Sequence, residues 1–147
     1  GESMKTKEKL ELLTKNMKRW QKIENAAVGQ TSKIMEESDH PLIRLVAEII
    51  QRDSNLHHRV QQAIIDSIER ENINVFYEDL EKVWASIDKH IQIEKKTIGL
   101  AKESLAALEG TKNPVQQYLL NYLLHDEEKH DKLLCDLELV KKRMYPK

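Results

Sequence analysis

Residues 114–137 read PVQQYLLNYLLHDEEKHDKLLCDL. Leucines recur at the three- and four-residue spacing of one helical face, and the opening proline suits a first helical turn. Asp126, Glu127 and His130 interrupt that face in its middle, where core side chains belong. A buried carboxylate or imidazole is costly unless it is paired or bound to a cation, so this run predicts both a packed helix and a polar site within its core.

The run has a partner earlier in the chain. Pro41 to His57 spans 16 residues, as Pro114 to His130 does, and the two segments superpose at an offset of 73. Asp53 then falls on Asp126, His57 on His130, and Val46, Ile50, Val60 and Ile64 fall on Leu119, Leu123, Leu133 and Leu137. Ser54 falls on Glu127. A second pair of segments agrees at an offset of 70: Lys22-Ile23-Glu24 matches Gln92-Ile93-Glu94, and Val28-Gly29 matches Ile98-Gly99.

Helix punctuation divides the chain into four. Ser38-Asp39-His40-Pro41 and Lys112-Asn113-Pro114 offer capping groups followed by proline, Gly110 supplies a stop, and Glu71-Asn72-Ile73-Asn74 is a softer break. The predicted helices are 5–37, 41–70, 75–109 and 114–143. Alternating 3,4 spacing gives a seam of Leu10, Leu13, Met17, Trp20, Glu24, Ala27, Thr31 and Ile34 on the first helix. The third carries Leu80, Val83, Ile87, His90, Glu94, Thr97, Ala101 and Ser104. Such seams describe an antiparallel four-helix bundle, all-α, built from two repeated hairpins. At 1.5 Å per residue, Glu24 lies about 25 Å before Pro41 and His57 about 24 Å after it, so the two meet at one height. The same arithmetic brings Glu94 level with His130.

Composition agrees with helices and limits the partners. The chain has only four glycines and three prolines, with 33% charged residues, which favours long helices over turn-rich β structure. Its length of 147 residues suits one domain, expected over 4–147, with residues 1–3 read as an expression scar. The 24 basic and 25 acidic residues are interspersed, so neither nucleic acid nor a membrane surface is an expected partner. Cys135 is the single cysteine, which excludes intrachain disulfides and Cys-ligated metal centres and suits a reducing cytoplasm. No apolar run approaches the length of a membrane span.

Carboxylates and imidazoles projecting inward from four helices at mid-bundle are how one class of bundle binds two irons or manganeses. Through Glu24, His57, Glu94 and Glu127-Glu128-Lys129-His130, the chain resembles the ferritin-like superfamily, most nearly rubrerythrin-type diiron-carboxylate proteins. The resemblance implies Glu24, Glu94 and Glu127 as carboxylate ligands and His57 and His130 as imidazole ligands. It implies Asp53 and Asp126 as acids that hydrogen-bond the free ring nitrogens. The cofactor would be iron or manganese, one or two ions, and the expected activity oxygen or peroxide chemistry or iron handling. If an enzyme, the protein would be a non-haem diiron or dimanganese oxidoreductase served by a separate electron donor.

The sequence departs from that pattern in two places. Ser54 leaves the second helix without its carboxylate ligand, a gap that Asp53 or His90 can fill, or that leaves a single ion. A lengthwise crossover between helices two and three needs roughly ten extended residues, more than the Asn72–Asn74 break supplies, so plain up-and-down order stands beside the ferritin-like one. His90 and Glu94 also fit one element of a hemerythrin-like site, but its companion histidine pairs are missing. The rival function is a metal-free helical scaffold, a homo-oligomer and most simply a dimer, whose polar layer fixes helix register.

Overall fold

A computed structural model describes residues 5–70 and 76–144. It is all-α, with four helices and no strand among the described residues: α1 (Thr6–Glu37), α2 (Pro41–Glu69), α3 (Tyr77–Ala107) and α4 (Pro114–Met144). The helices pack as α1 with α2 and α3 with α4, and the chain divides into two compact units between residues 73 and 74. No described helix is long and apolar enough to cross a membrane. The break expected at Glu71–Asn74 lies outside the described residues.

Local chemistry sets the helix ends. At the α1–α2 turn the imidazole Nδ1 of His40 accepts from the Leu42 N–H at 3.2 Å, with Pro41 opening the helix behind it. The Arg44 guanidinium donates back to the Met35 carbonyl and, at 3.4 Å, to the Ser38 carbonyl, a cation at the carbonyl-rich end of α1. At the start of α3 the Asp79 carboxylate accepts from the Phe76 N–H at 3.2 Å. α3 stops at Ala107 rather than at the expected 109, because the chain tightens through Leu108 and Glu109 into Gly110. There φ is 77°, a left-handed conformation that closes the helix.

The buried line inside each hairpin is offset from the expected seam. On α1 the inward residues are Thr14, Met17, Gln21, Glu24, Val28, Thr31 and Met35; on α3 they are Leu80, Trp84, Ile87, Ile91, Glu94, Ile98, Ala101 and Leu105. Met17, Glu24, Thr31, Leu80, Ile87, Glu94 and Ala101 belong to both the seam and the buried line. The alternate seam residues Leu13, Trp20, Ile34 and Val83 are exposed instead. The reason is geometric: two helices meet along the line joining their axes, and within each hairpin that line runs one residue to the side of the expected seam.

The repeat reaches the packing. Residues 21–30 and 91–100 show the same order of buried, half-buried and exposed positions. Their chemistry differs. In the first hairpin Gln21 Nε2 donates to the His58 carbonyl at 3.2 Å and to Gln62 Oε1 at 3.0 Å, and Gln51 Nε2 donates to the Val28 carbonyl and to Ser32 Oγ. In the second, Ile91 and Leu124 stand at the positions of Gln21 and Gln51. Leu80 and Ile91 are buried there, each worth about 1.5–3 kcal/mol.

Candidate metal centre

In the α3–α4 hairpin Glu94, Glu127 and His130 each present one ligand atom, and these atoms lie within 4.8 Å of one another. α3 supplies Glu94 from its buried line, and α4 supplies Glu127 and His130, which share a helix face at a spacing of three. Glu94 is only 4% exposed. Its Oε1 lies 2.7 Å from His90 Nε2 and 3.6 Å from His130 Nδ1. Its Oε2 is buried and has no hydrogen-bond partner. Glu127 Oε2 accepts the Thr97 hydroxyl at 2.9 Å. Asp126 completes the surround, with Oδ2 3.4 Å from His130 Nε2 and Oδ1 2.9 Å from Lys129 Nζ.

The two acids do not share protons evenly. The neighbouring Glu127 carboxyl, more than anything else, holds Glu94 below the ordinary carboxylate range; burial opposes this, while His90 and His130 add to it. Glu127 is pushed up by the Glu94 carboxyl first, with burial helping and the Thr97 hydroxyl opposing. The pair is thus split, with Glu94 the more readily ionised and Glu127 the more readily protonated. A divalent cation beside them would favour the ionised form of both.

The donor set fits such a cation. Two carboxylates and an imidazole with no thiolate suit manganese or iron better than soft metals. Ligand atoms around an octahedral ion with bonds of ~2.1 Å lie about 3 to 4.2 Å apart, so the observed spread needs only a small contraction. His130 and His90 keep roughly half of their side chains exposed, which leaves the centre reachable from solvent.

The α1–α2 hairpin holds the matching residues in a reduced form. His57 Nδ1 lies 3.6 Å from Glu24 Oε1, the same separation as His130 from Glu94. Glu24 is 7% exposed and its Oε2 also lacks a partner. Ser54 occupies the place of Glu127 and offers no carboxylate. Asp53 makes no hydrogen bond or ion pair with His57 among the described residues, in contrast to Asp126 with His130.

Two contacts add to what the sequence indicated. Thr97 orients Glu127, and the Trp20 indole N–H donates to Glu24 Oε1 at 3.1 Å. Both residues stand on the expected seam, which identified them only as packing. The signal that could have found them is that each lies within one turn of a buried glutamate.

No family model matches the chain, and no curated protein or solved structure matches it.

Proposed function

We propose that this is a ferritin-like metal-binding protein whose principal site is the α3–α4 set Glu94, Glu127 and His130, with His90 beside it. The observation that carries this reading is the convergence of Glu94, Glu127 and His130, whose ligand atoms lie within 4.8 Å of one another around a buried Glu94. Two carboxyl groups held side by side in a partly desolvated site are costly to ionise together. Binding a divalent cation removes that cost.

The ion is iron or manganese. When bound it would supply one-electron or peroxide chemistry, or be carried as cargo. The protein's share is its own: Thr97 holds Glu127, Asp126 holds His130, and Lys129 holds Asp126. We place the protein in the cytoplasm, with a homodimer and a separate electron donor as its expected partners. A chain with one exposed cysteine, Cys135, cannot build a Cys-ligated electron-transfer centre of its own.

A metal-free scaffold is the second reading. It is favoured by how many of the polar groups already pair without an ion: His90 with Glu94, Thr97 with Glu127, Asp126 with His130. Elemental analysis of protein purified without a metal-binding tag separates the two. Near-stoichiometric iron or manganese, lost in the Glu127→Ala, His130→Ala variant, supports the site. Metal-free protein whose thermal stability does not change on adding iron(II) or manganese(II) supports the scaffold.

A further inference from the structure

We propose that the α1–α2 hairpin is a second metal site of the same chemistry, closed by Trp20, Ala27 and Ser54, so that the chain binds one divalent ion rather than two. This rests on the reading above, because the α3–α4 set is its template.

The two hairpins agree in what they retain. Each buries one glutamate from its first helix and sets a histidine from its second helix 3.6 Å away. In each, the glutamate Oε2 is buried without a partner. These are the features hardest to justify in a core with no ligand.

Among the positions where they differ, three lie beside the glutamate, and each of these differences removes a means of holding a cation. Ser54 replaces Glu127, so one of two carboxylates is gone and a divalent charge would be half neutralised by protein. Ala27 replaces Thr97, so the hydroxyl that steadies the second carboxylate is gone as well. Trp20 replaces His90. Imidazole can donate, accept or ligate, whereas indole N–H only donates, and it already occupies Glu24 Oε1 at 3.1 Å. The carboxylate and the hydroxyl that supports it are thus both missing from the α1–α2 hairpin.

The test counts manganese(II) bound per chain, by the loss of the free-ion electron paramagnetic resonance signal, with circular dichroism to check the fold. The unmodified protein should bind one ion. Ala27→Thr with Ser54→Glu should raise the count to two, and in a Glu127→Ala, His130→Ala background should raise it from zero to one. Adding Trp20→His should tighten the opened site about 10-fold, the scale of outer-ligand effects. A helical variant whose count stays at one, or at zero in the second background, overturns the proposal while leaving the α3–α4 site standing.

The converse swap needs no new buried charge. His90→Trp, Thr97→Ala and Glu127→Ser together install in α3–α4 the residues that α1–α2 already accommodates, and should take the count from one to zero. An ion retained there means these side chains do not close a site, and the proposal fails. Wild-type protein that binds no manganese(II) or iron(II) overturns the parent reading instead, and the opened α1–α2 variant still decides this one by binding an ion or not.

Discussion

The Thr97 hydroxyl lies 2.9 Å from Glu127 Oε2 across the α3–α4 hairpin and 2.9 Å from the Glu94 carbonyl of its own helix, so its one proton is shared between a candidate ligand and the backbone and restrains the Glu127 side chain. The bond joins two helices and a candidate ligand in one contact. Thr97→Val keeps the branched shape and deletes the hydroxyl. Manganese(II) affinity should fall on the order of 10-fold, as for other residues that orient ligands, while Thr97→Ser keeps most of it. Calorimetric titration of the three proteins checks this, and equal affinity for Val and Thr would show that Glu127 needs no such support.

Protonation of the Glu94–Glu127 pair gives the metal-free protein a pH signature. Glu94 has a lowered pKa, so its contribution to stability is present above the ordinary value of 4.5 and is lost as pH falls through its folded value. Glu127 has a raised pKa, so its contribution is present below 4.5 and is lost as pH rises through its folded value. The pair stabilises the fold most around 4.5, where it holds one proton. Metal binding has the opposite demand, since Glu127 must lose that proton, and affinity should rise with pH through its raised pKa. Glu127→Gln separates the two effects: at neutral pH the metal-free variant should melt no lower than wild type, yet bind manganese(II) at least 10-fold more weakly.

The four helices were legible because punctuation and periodicity agreed. Pro41 and Pro114 open helices where expected, and the seven-residue recurrence of Met17, Glu24 and Thr31 is a true buried line, although the seam residues between them, such as Trp20, are not part of it. Glu24, His57, Glu94 and His130 stood out because the repeat placed each acid and imidazole twice. The partner of each polar group was harder to read. A threonine or tryptophan on an apolar seam is chemically ambiguous until its rotamer is known, so the bonds from Thr97 and Trp20 were hidden. The offset between Trp20 and Gln21 was hidden too, since a wide apolar stripe does not say which edge meets the neighbouring helix.

Glycine chemistry provides a test of the backbone alone. At Gly110 φ is 77°, and a side chain there would meet nothing within 4 Å, so Gly110→Ala should destabilise only through the left-handed strain, by about 1 kcal/mol. Gly99 lies inside α3 with equally open surroundings, so Gly99→Ala should stabilise by about 0.5–1 kcal/mol. Urea unfolding of both variants measures the two signs, and a loss of stability for Gly99→Ala would mean that the space beside it is filled in solution.

The Gln21 bridge and its apolar counterpart Ile91 allow one position to be compared across the repeat. Gln21 ties α1 to α2 through the His58 carbonyl and Gln62 Oε1, and Gln62 in turn donates to Asp66 Oδ1 at 2.9 Å. Removing the bridge with Gln21→Ala leaves Gln62 Oε1 short of a donor and should cost about 1–2 kcal/mol. Gln21→Ile imports what α3 uses at the same depth and exchanges two modest hydrogen bonds for buried apolar surface, so its cost should be smaller than that of Ala. Ile91→Ala, which empties a well-packed site, should cost about 2–4 kcal/mol. Denaturant midpoints for the three variants give the order directly. If Gln21→Ile proved more damaging than Gln21→Ala, the polar chain through Gln62 and Asp66 would be specifying helix register in the first hairpin rather than merely filling it.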